Sequence, residues 1–469
     1  MDIPQVRHGF VDVDGVQVFH REAGPADGLP VLLLHGFPSA SHQYRRLMDA
    51  LGGRHRLIAP DYPGFGHTRT PEGFTYSFDR LADIVEGFVE RKGLRRFVLY
   101  AFDFGGPVGF RLAARHPEWI AGLVVQNANA YEDGLSDLAR QLIPHPTDEL
   151  FTLPVTRGQY EDGAGDPALI APDGWTLDQH FLDQPGRREA QRALALDYGA
   201  NVALYPAWQA WLREHRPRTL VVWGRGDAFF PEPGAHAYLR DVPDAEVHVL
   251  DTGHFALEEK LPEIAPLVDR FLGQLPLDIA VVGASGHLGG ATAREAAARG
   301  HRVTALSSGD VDVRDPESIR RAVAGHDAVI VAVKGPGHLV PKAASALIEA
   351  GVGRLVFLGG GGSLLDTGGR RLVDAPDFPA QYRETALDQA DALEILRRDG
   401  AAVAWSYVSP PPVHLVPGER TGTYRTAAQD TPLADARGES RVTVGDYASA
   451  VVDAVEQRAF VRQRFTVGY

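Results

Sequence analysis

Asp103 stands in the middle of LYAFDFGGPVGF, residues 99–110. The apolar run before it has the character of a buried strand, and the small residues after it open a helix. Ala101 and Gly105 flank it two positions away on either side. A side chain exposed on a sharp strand-to-helix turn needs small neighbours there, because the turn presses them against adjacent backbone. Serine is the familiar nucleophile of such a turn. A carboxylate implies other chemistry. With an ordinary pKa of about 3.9, an aspartate is already ionised at neutral pH and needs no base to activate it. It can attack an electrophilic sp3 carbon and form an alkyl ester. An Asp at a strand end also serves widely as a helix N-cap, so the partners decide which role is meant.

Those partners recur at strand ends. LLLHGFP places His35, Gly36 and Phe37 after one apolar run, and DYPGFGHT, residues 61–68, follows the next. WGRGD sets Asp227 at the end of a later run, and DTGHF sets His254 after the last. Nucleophile, acid and histidine in that chain order is the order of α/β-hydrolases. Over about residues 11–272 the chain resembles that family. HGFP together with an Asp followed by GG is similar to the branch holding epoxide hydrolases and haloalkane and haloacetate dehalogenases. The resemblance implies Asp103 as nucleophile and His254, oriented by Asp227, as the base that activates water. It implies the backbone N–H groups of Phe37 and Phe104 as oxyanion donors.

The same resemblance implies a cap tyrosine that protonates an epoxide oxygen. The cap carries Tyr160, Tyr198 and Tyr205; Tyr205, in NVALYPAW, is the first expectation and Tyr198 the second. Haloalkane dehalogenases place Trp after the nucleophile and Asn after His-Gly, where this chain has Phe104 and Phe37. Haloacetate dehalogenases place Arg near the nucleophile, and Phe104 does not serve. Epoxide hydrolysis of a small apolar substrate, with no cofactor, is therefore expected ahead of dehalogenation. His42, His116 and His236 have no paired ligand spacing, so no metal is expected, and they read as surface or capping residues.

A second constellation lies in IAVVGASGHLGGATAREAAARGHRVTAL. Gly283, Gly286 and Gly289 fall in a strand–turn–helix–strand context. Such a turn lets the backbone approach a pyrophosphate, which then lies at the helix N-terminus. Ser285, His287 and Leu288 share the turn, and Ser307 stands where the second strand ends. GDVDVRDPESIRRAVAGHDAVIVAV, RLVFLGGGGSL and PGERTGTYR resemble the atypical short-chain dehydrogenases of the NAD(P)H-flavin reductase type, over about residues 278–469. That implies NAD or NADP as cofactor and a flavin or quinone-like acceptor. A dinucleotide sensor without catalysis is the alternative. ALSSGDVDV is too short to hold a helix directly after the second strand. Ser307 and Ser308 offer neither an acid for a ribose diol nor an Arg for a 2′-phosphate, leaving NAD and NADP both open. Tyr382 is followed four residues on by Ala386 rather than Lys, so the proton-donating pair of ketone reduction is absent.

The elements that must hold these residues alternate strand with helix twice over. The sequence predicts a capped α/β-hydrolase fold over 1–276 fused to a Rossmann-like NAD(P)-binding domain over 277–469. A polar, Pro/Gly-punctuated stretch of about 135–217, with Trp175, Trp208 and Trp211, reads as a helical cap. The 469 residues suit two or three domains at roughly 100–200 residues each. A net charge of −14 argues against nucleic acid or an anionic membrane as partner. No cysteine is present, which excludes disulfides and thiolate chemistry. The N-terminus has no apolar leader and no apolar run approaches a membrane span, so a cytoplasmic location is expected.

Overall fold

The computed structural model describes residues 4–469. The chain divides into a first unit that ends at Leu275 and a second, Pro276–Tyr469. In the first unit the apolar runs become β1 (Arg7–Val13), β2 (Val16–Ala23), β3 (Pro30–Leu34), β4 (Arg56–Pro60), β5 (Phe97–Phe102), β6 (Ile120–Gln126), β7 (Thr219–Gly224) and β8 (Glu246–Leu250). They form one sheet in the order β1-β2-β4-β3-β5-β6-β7-β8. β2 is antiparallel to its neighbours, and the strands from β4 to β8 are parallel.

Every residue of β3, β5 and β7 is buried, as strands covered on both faces require. Side chains alternate between two cores. Leu99 and Ala101 join one with Phe78, Val85 and Val108, whereas Val98, Tyr100 and Phe102 join the other with Leu47, Ile264 and Phe271. The helix Phe78–Arg91 begins where the Ser77 side chain accepts from the Arg80 N–H, and Asp79 and Arg91 complement its two ends.

Between β6 and β7 the chain leaves the sheet for four α-helices, Asp137–Leu142, Leu153–Glu161, Asp173–Leu182 and Arg187–His215. Trp175, Trp208 and Trp211 are buried there. His42 does not lie on the surface as its polar neighbours suggest. It is 4% exposed, and its Nε2 sits 2.9 Å from Asp178 Oδ1 of the helix Asp173–Leu182. A carboxylate delivered by a distant helix makes burial of the imidazole tolerable. Among the described residues no helix is long and apolar enough to cross a membrane.

The second unit contains β9 (Asp278–Val282), β10 (Arg302–Leu306), β11 (Ala328–Val331), β12 (Arg354–Leu358), β13 (Ala404–Ser409), β14 (His414–Val416), β15 (Arg425–Ala427), β16 (Arg441–Thr443) and β17 (Gln463–Gly468). Seven of them make a sheet in the order β10-β9-β11-β12-β13-β17-β15, parallel except for β15 against β17; β14 and β16 pair separately. The chain runs from β9 outward to β10 and returns to β11 on the other side of β9. That reversal opens a crevice at the carboxyl ends of β9 and β11, where ligands of open α/β sheets bind.

Candidate active site

β5 ends at Phe102, and Asp103 then takes a φ of +50°, in the left-handed region that a side chain enters only at a cost. The helix Gly105–Arg115 follows at once. Its N-cap position is Phe104 and no side chain caps it, so Asp103 is not a cap. The turn has no room to spare. A Cβ on Gly105 would lie 2.1 Å from the Leu34 carbonyl oxygen, and one on Gly36 would lie 2.1 Å from Asp103 Oδ1. Glycine after His35 lets the β3 loop close on the carboxylate. The Phe37 N–H then donates to Asp103 Oδ1 at 2.6 Å, and the Phe104 N–H also bonds this carboxylate.

Asp227 and His254 arrive from the ends of β7 and β8. His254 Nδ1 lies 2.5 Å from Asp227 Oδ2, and His254 Nε2 lies 3.8 Å from Asp103 Oδ2. Asp227 is held from every side. Its Oδ1 accepts from the Phe229 and Phe230 N–H groups at 2.9 and 3.1 Å, and its Oδ2 accepts from Asn127 Nδ2 at 2.7 Å. Asn127 in turn accepts from the Gly224 N–H at 2.9 Å, which sets which end of its amide faces Asp227. Burial pushes the Asp103 carboxyl up to about 6, against the pull of His254 and of the Phe104 and Phe37 N–H groups. Burial alone would lower His254; the charge and hydrogen bond of Asp227 outweigh it and leave its pKa raised. His35 is different. Burial lowers it to about 4, its Nε2 accepts from the Tyr62 N–H at 3.1 Å, and it is a neutral strut rather than a base.

Asp103, Phe37, Phe104 and His254 share a cavity of about 50 Å³ whose walls are otherwise Ile143, Leu150, Phe151, Ala195, Phe229 and Phe230, with the amides of Gln159 and Gln191. That is room for on the order of four water-sized groups. Tyr205 and Tyr198 are not in its wall. The helix Arg187–His215 lines the cavity with Gln191 and Ala195, four residues apart, and the two tyrosines lie on later turns of the same helix. Tyr198 packs on Phe104 and Phe78, with ring centroids 6.1 and 5.9 Å away. Tyr205 packs on Trp208, and its hydroxyl is buried beside that of Tyr198. Tyr160 donates to Asp178 Oδ2 at 2.6 Å and stacks on Phe255 at 3.7 Å, so it belongs to the core. Sequence reasoning missed Asn127, Gln159 and Gln191. Asn127 had a signal, a polar residue directly after β6; the cap glutamines had none.

In the second unit Gly283 follows β9 with a φ of +85°, and a Cβ there would lie 2.3 Å from the Ala332 carbonyl oxygen beyond β11. A Cβ on Gly289 would lie 2.2 Å from the Gly283 carbonyl oxygen. The turn through Ala284 and Ser285 closes with the Gly286 N–H donating to Gly283 at 3.0 Å. The helix His287–Ala298 starts there with no side chain over its N-terminus. The N–H groups of His287, Leu288 and Gly289 have no partner within that helix. A cradle with no space for a Cβ, at the sheet's switch point, fits a dinucleotide pyrophosphate. Ser307 is tied into a turn, its N–H and Oγ both bonded to Asp310 Oδ2 at 2.8 and 2.7 Å, and the next helix waits until Pro316–Ala322. Tyr382 is 60% exposed and Ala386 lies against Gly362.

Comparisons with known proteins agree with this division. Residues 30–261 match the α/β-hydrolase fold family and residues 283–458 match an NAD(P)H-binding family. An uncharacterized hydrolase of Saccharomyces cerevisiae is 41% identical over 270 residues, 54% of this chain and 92% of that protein. An uncharacterized protein of Bacillus subtilis is 34% identical over 210 residues, 41% of this chain and 98% of that protein. Epoxide hydrolase 2 of Caenorhabditis elegans is 24% identical over 288 residues, 57% of this chain and 80% of that protein. The chain belongs to the α/β-hydrolase family, with an NAD(P)H-binding unit following the hydrolase unit.

Proposed function

We propose that the first unit hydrolyses an epoxide through a covalent ester on Asp103. The observation that carries this is the buried carboxylate on the strained turn, with His254 Nε2 3.8 Å from its Oδ2 and Asp227 clamping the far side of the imidazole. Asp103 Oδ2 attacks a ring carbon, the C–O bond breaks, and the alkoxide takes a proton from water. Tyr198 and Tyr205 lie outside the cavity wall, so water supplies that proton, and the hydroxide left behind is neutralised by the proton that the regenerated Asp103 carboxyl releases. His254 then removes a proton from water, and the hydroxide adds to the ester carbon. The N–H groups of Phe37 and Phe104, already on Asp103, hold the oxyanion. Collapse releases the diol, and His254 returns its proton to the departing oxygen. The distant likeness to an epoxide hydrolase supports the choice of electrophile.

In a single turnover in heavy-oxygen water, the product is expected to be unlabelled and Asp103 labelled. Label in the first-turnover product would overturn Asp103 as nucleophile. Carbon–halogen cleavage is the second reading. One observation favours it: no phenol lines the cavity, and a halide leaves without a proton. A screen of small epoxides against small haloalkanes orders the two.

For the second unit we propose NAD(P)H oxidation with a flavin or quinone-like acceptor, in which the bound nucleotide supplies the hydride. The chain's part is to seat the pyrophosphate on the turn at 283–289. Gly289→Val drives a Cβ into the Gly283 carbonyl. It is expected to weaken NADH and NADPH binding at least about tenfold in a fluorescence titration. Unchanged binding would remove the turn from the nucleotide site.

A further inference from the structure

His254 stands inside a loop that one side chain closes. The short helix Ala256–Glu259 follows the base almost at once and carries Glu259 back toward the residues that precede it. Glu259 Oε2 accepts from the Thr252 hydroxyl at 2.7 Å. The span from Thr252 to Glu259 is thereby tied into a ring with His254 in its middle. Thr252 is held from the other side as well, since its carbonyl accepts from the Gly226 N–H at 2.9 Å, one residue before Asp227. A run of bonds thus joins Glu259, through Thr252, to the loop of the triad acid.

The cap closes on the same carboxylate. Its turn over residues 162–166 lies between the helices Leu153–Glu161 and Asp173–Leu182. There the Gly165 N–H donates to Glu259 Oε2 at 3.1 Å, and the Asp166 N–H donates to Oε1 at 2.7 Å. Glycine lets this turn lie directly on both triad loops. A Cβ on Gly163 would lie 1.9 Å from the Gly226 carbonyl oxygen, and one on Gly253 would lie 2.5 Å from the Asp162 carbonyl oxygen. Gly226 and Gly253 are the residues directly before Asp227 and His254. Glu259 itself is buried and is not in the wall of the cavity. Burial alone would raise its carboxyl; the bonds from Thr252, Asp166, Lys260 and Gly165 outweigh it and leave its pKa lowered.

We infer that Glu259 is a positioning residue for release of the product: it ties the His254 loop to the Asp227 loop and to the cap, and so sets the imidazole where it activates water. The inference rests on the Asp103 reading and adds to it the bonds outside the cavity on which the base depends. Thr252, Gly165 and Asp166 all donate, so an acceptor is needed at both oxygens. A glutamine amide in either orientation turns its NH2 against one of the two cap N–H groups. A small displacement of the base slows its step, because proton transfer needs hydrogen-bond geometry. Attack by Asp103 uses none of these bonds.

The test separates the two steps in the full chain. 1,2-Epoxypropane and 1-bromopropane are the probes, and the adduct mass is followed by rapid quench as it grows and decays. With a probe that reacts, Glu259→Gln and Thr252→Val are expected to form the ester within about twofold of the wild-type rate and to hydrolyse it at least about tenfold more slowly. Thr252→Ser keeps the hydroxyl and is expected to recover most of the wild-type decay rate. Thr252→Val leaves both cap bonds in place and decides alone if Glu259→Gln does not fold. A role in folding only would lower the melting temperature and leave the decay rate of the folded chain unchanged. Unchanged decay in the folded variants therefore overturns the inference alone, as does equal slowing of growth and decay, or a Thr252→Ser chain as slow as Thr252→Val. If His254→Gln forms no adduct with either probe, the Asp103 reading falls and this inference with it.

Discussion

Asp103→Asn is expected to abolish hydrolysis and to stabilise the first unit. Loss of the proposed nucleophile should lower kcat at least about 10⁴-fold, because the first covalent bond can no longer form. The fold should tolerate the change. An amide oxygen can still accept the Phe37 and Phe104 N–H groups, and the amide NH2 can face His254 Nε2. The gain in stability follows from linkage. The carboxyl binds its proton more tightly when folded, at about 6 against an ordinary value of 3.8. The ionised group therefore opposes folding, by about 3 kcal/mol for a gap of roughly two pH units. This penalty is complete above about pH 6, fades as pH falls, and is gone below the unfolded value. Urea unfolding should thus show the variant more stable at pH 8, with the difference shrinking steadily as pH falls and gone below the unfolded value. Equal stability across that range would mean that the carboxylate is not held at a cost. On the proposed route only the carboxylate attacks, so the same pKa places the expected acid limb of wild-type kcat/KM near pH 6.

The candidate site was legible where its residues sit at strand ends. Asp103, Asp227 and His254 each follow a run of apolar residues too short for a helix. A parallel sheet brings the ends of such runs to one edge, so the one-dimensional pattern carries the three-dimensional meeting. Gly36 and Gly105 belong to the same logic, because close approach leaves only glycine as a solution. The cap did not follow it. Residue type points to Tyr198 and Tyr205, but the phase and pitch of a helix decide which turns face the cavity, and Gln191 and Ala195 occupy those turns. That phase is set by packing of Tyr198, Tyr205 and Trp208 against the first core, which no local pattern announces. His42 failed for a related reason. Its neighbours are polar, yet the short turn Ser41–Tyr44 is wholly buried and the partner of the imidazole comes from a helix far along the chain. In the second unit the glycine turn was legible because strand, turn and helix are contiguous. The pairing of β15 with β17 was not, since it joins short segments almost forty residues apart.

The second large effect separates making the ester from breaking it. With His254→Gln the alkylated enzyme is expected to accumulate, while turnover falls at least about 10⁴-fold. A single adduct should appear on the peptide that contains Asp103. The substitution should not unfold the unit, because Asp227 keeps the Phe229, Phe230 and Asn127 N–H donors after the imidazole is gone. Ester formation needs only the ionised carboxylate, and the charge on His254 is one of the influences holding the Asp103 pKa down. Without it the acid limb of ester formation should move upward from about 6. Trapping should therefore be efficient at pH 9 and visibly slower at pH 6.5, although the residue removed is not the nucleophile. A base acting only in the second step would leave that limb in place if it carried no charge beside Asp103. An upward shift together with a trapped ester would assign both roles to one imidazole: its charge favours the attacking carboxylate, and its neutral form activates the water that releases the product.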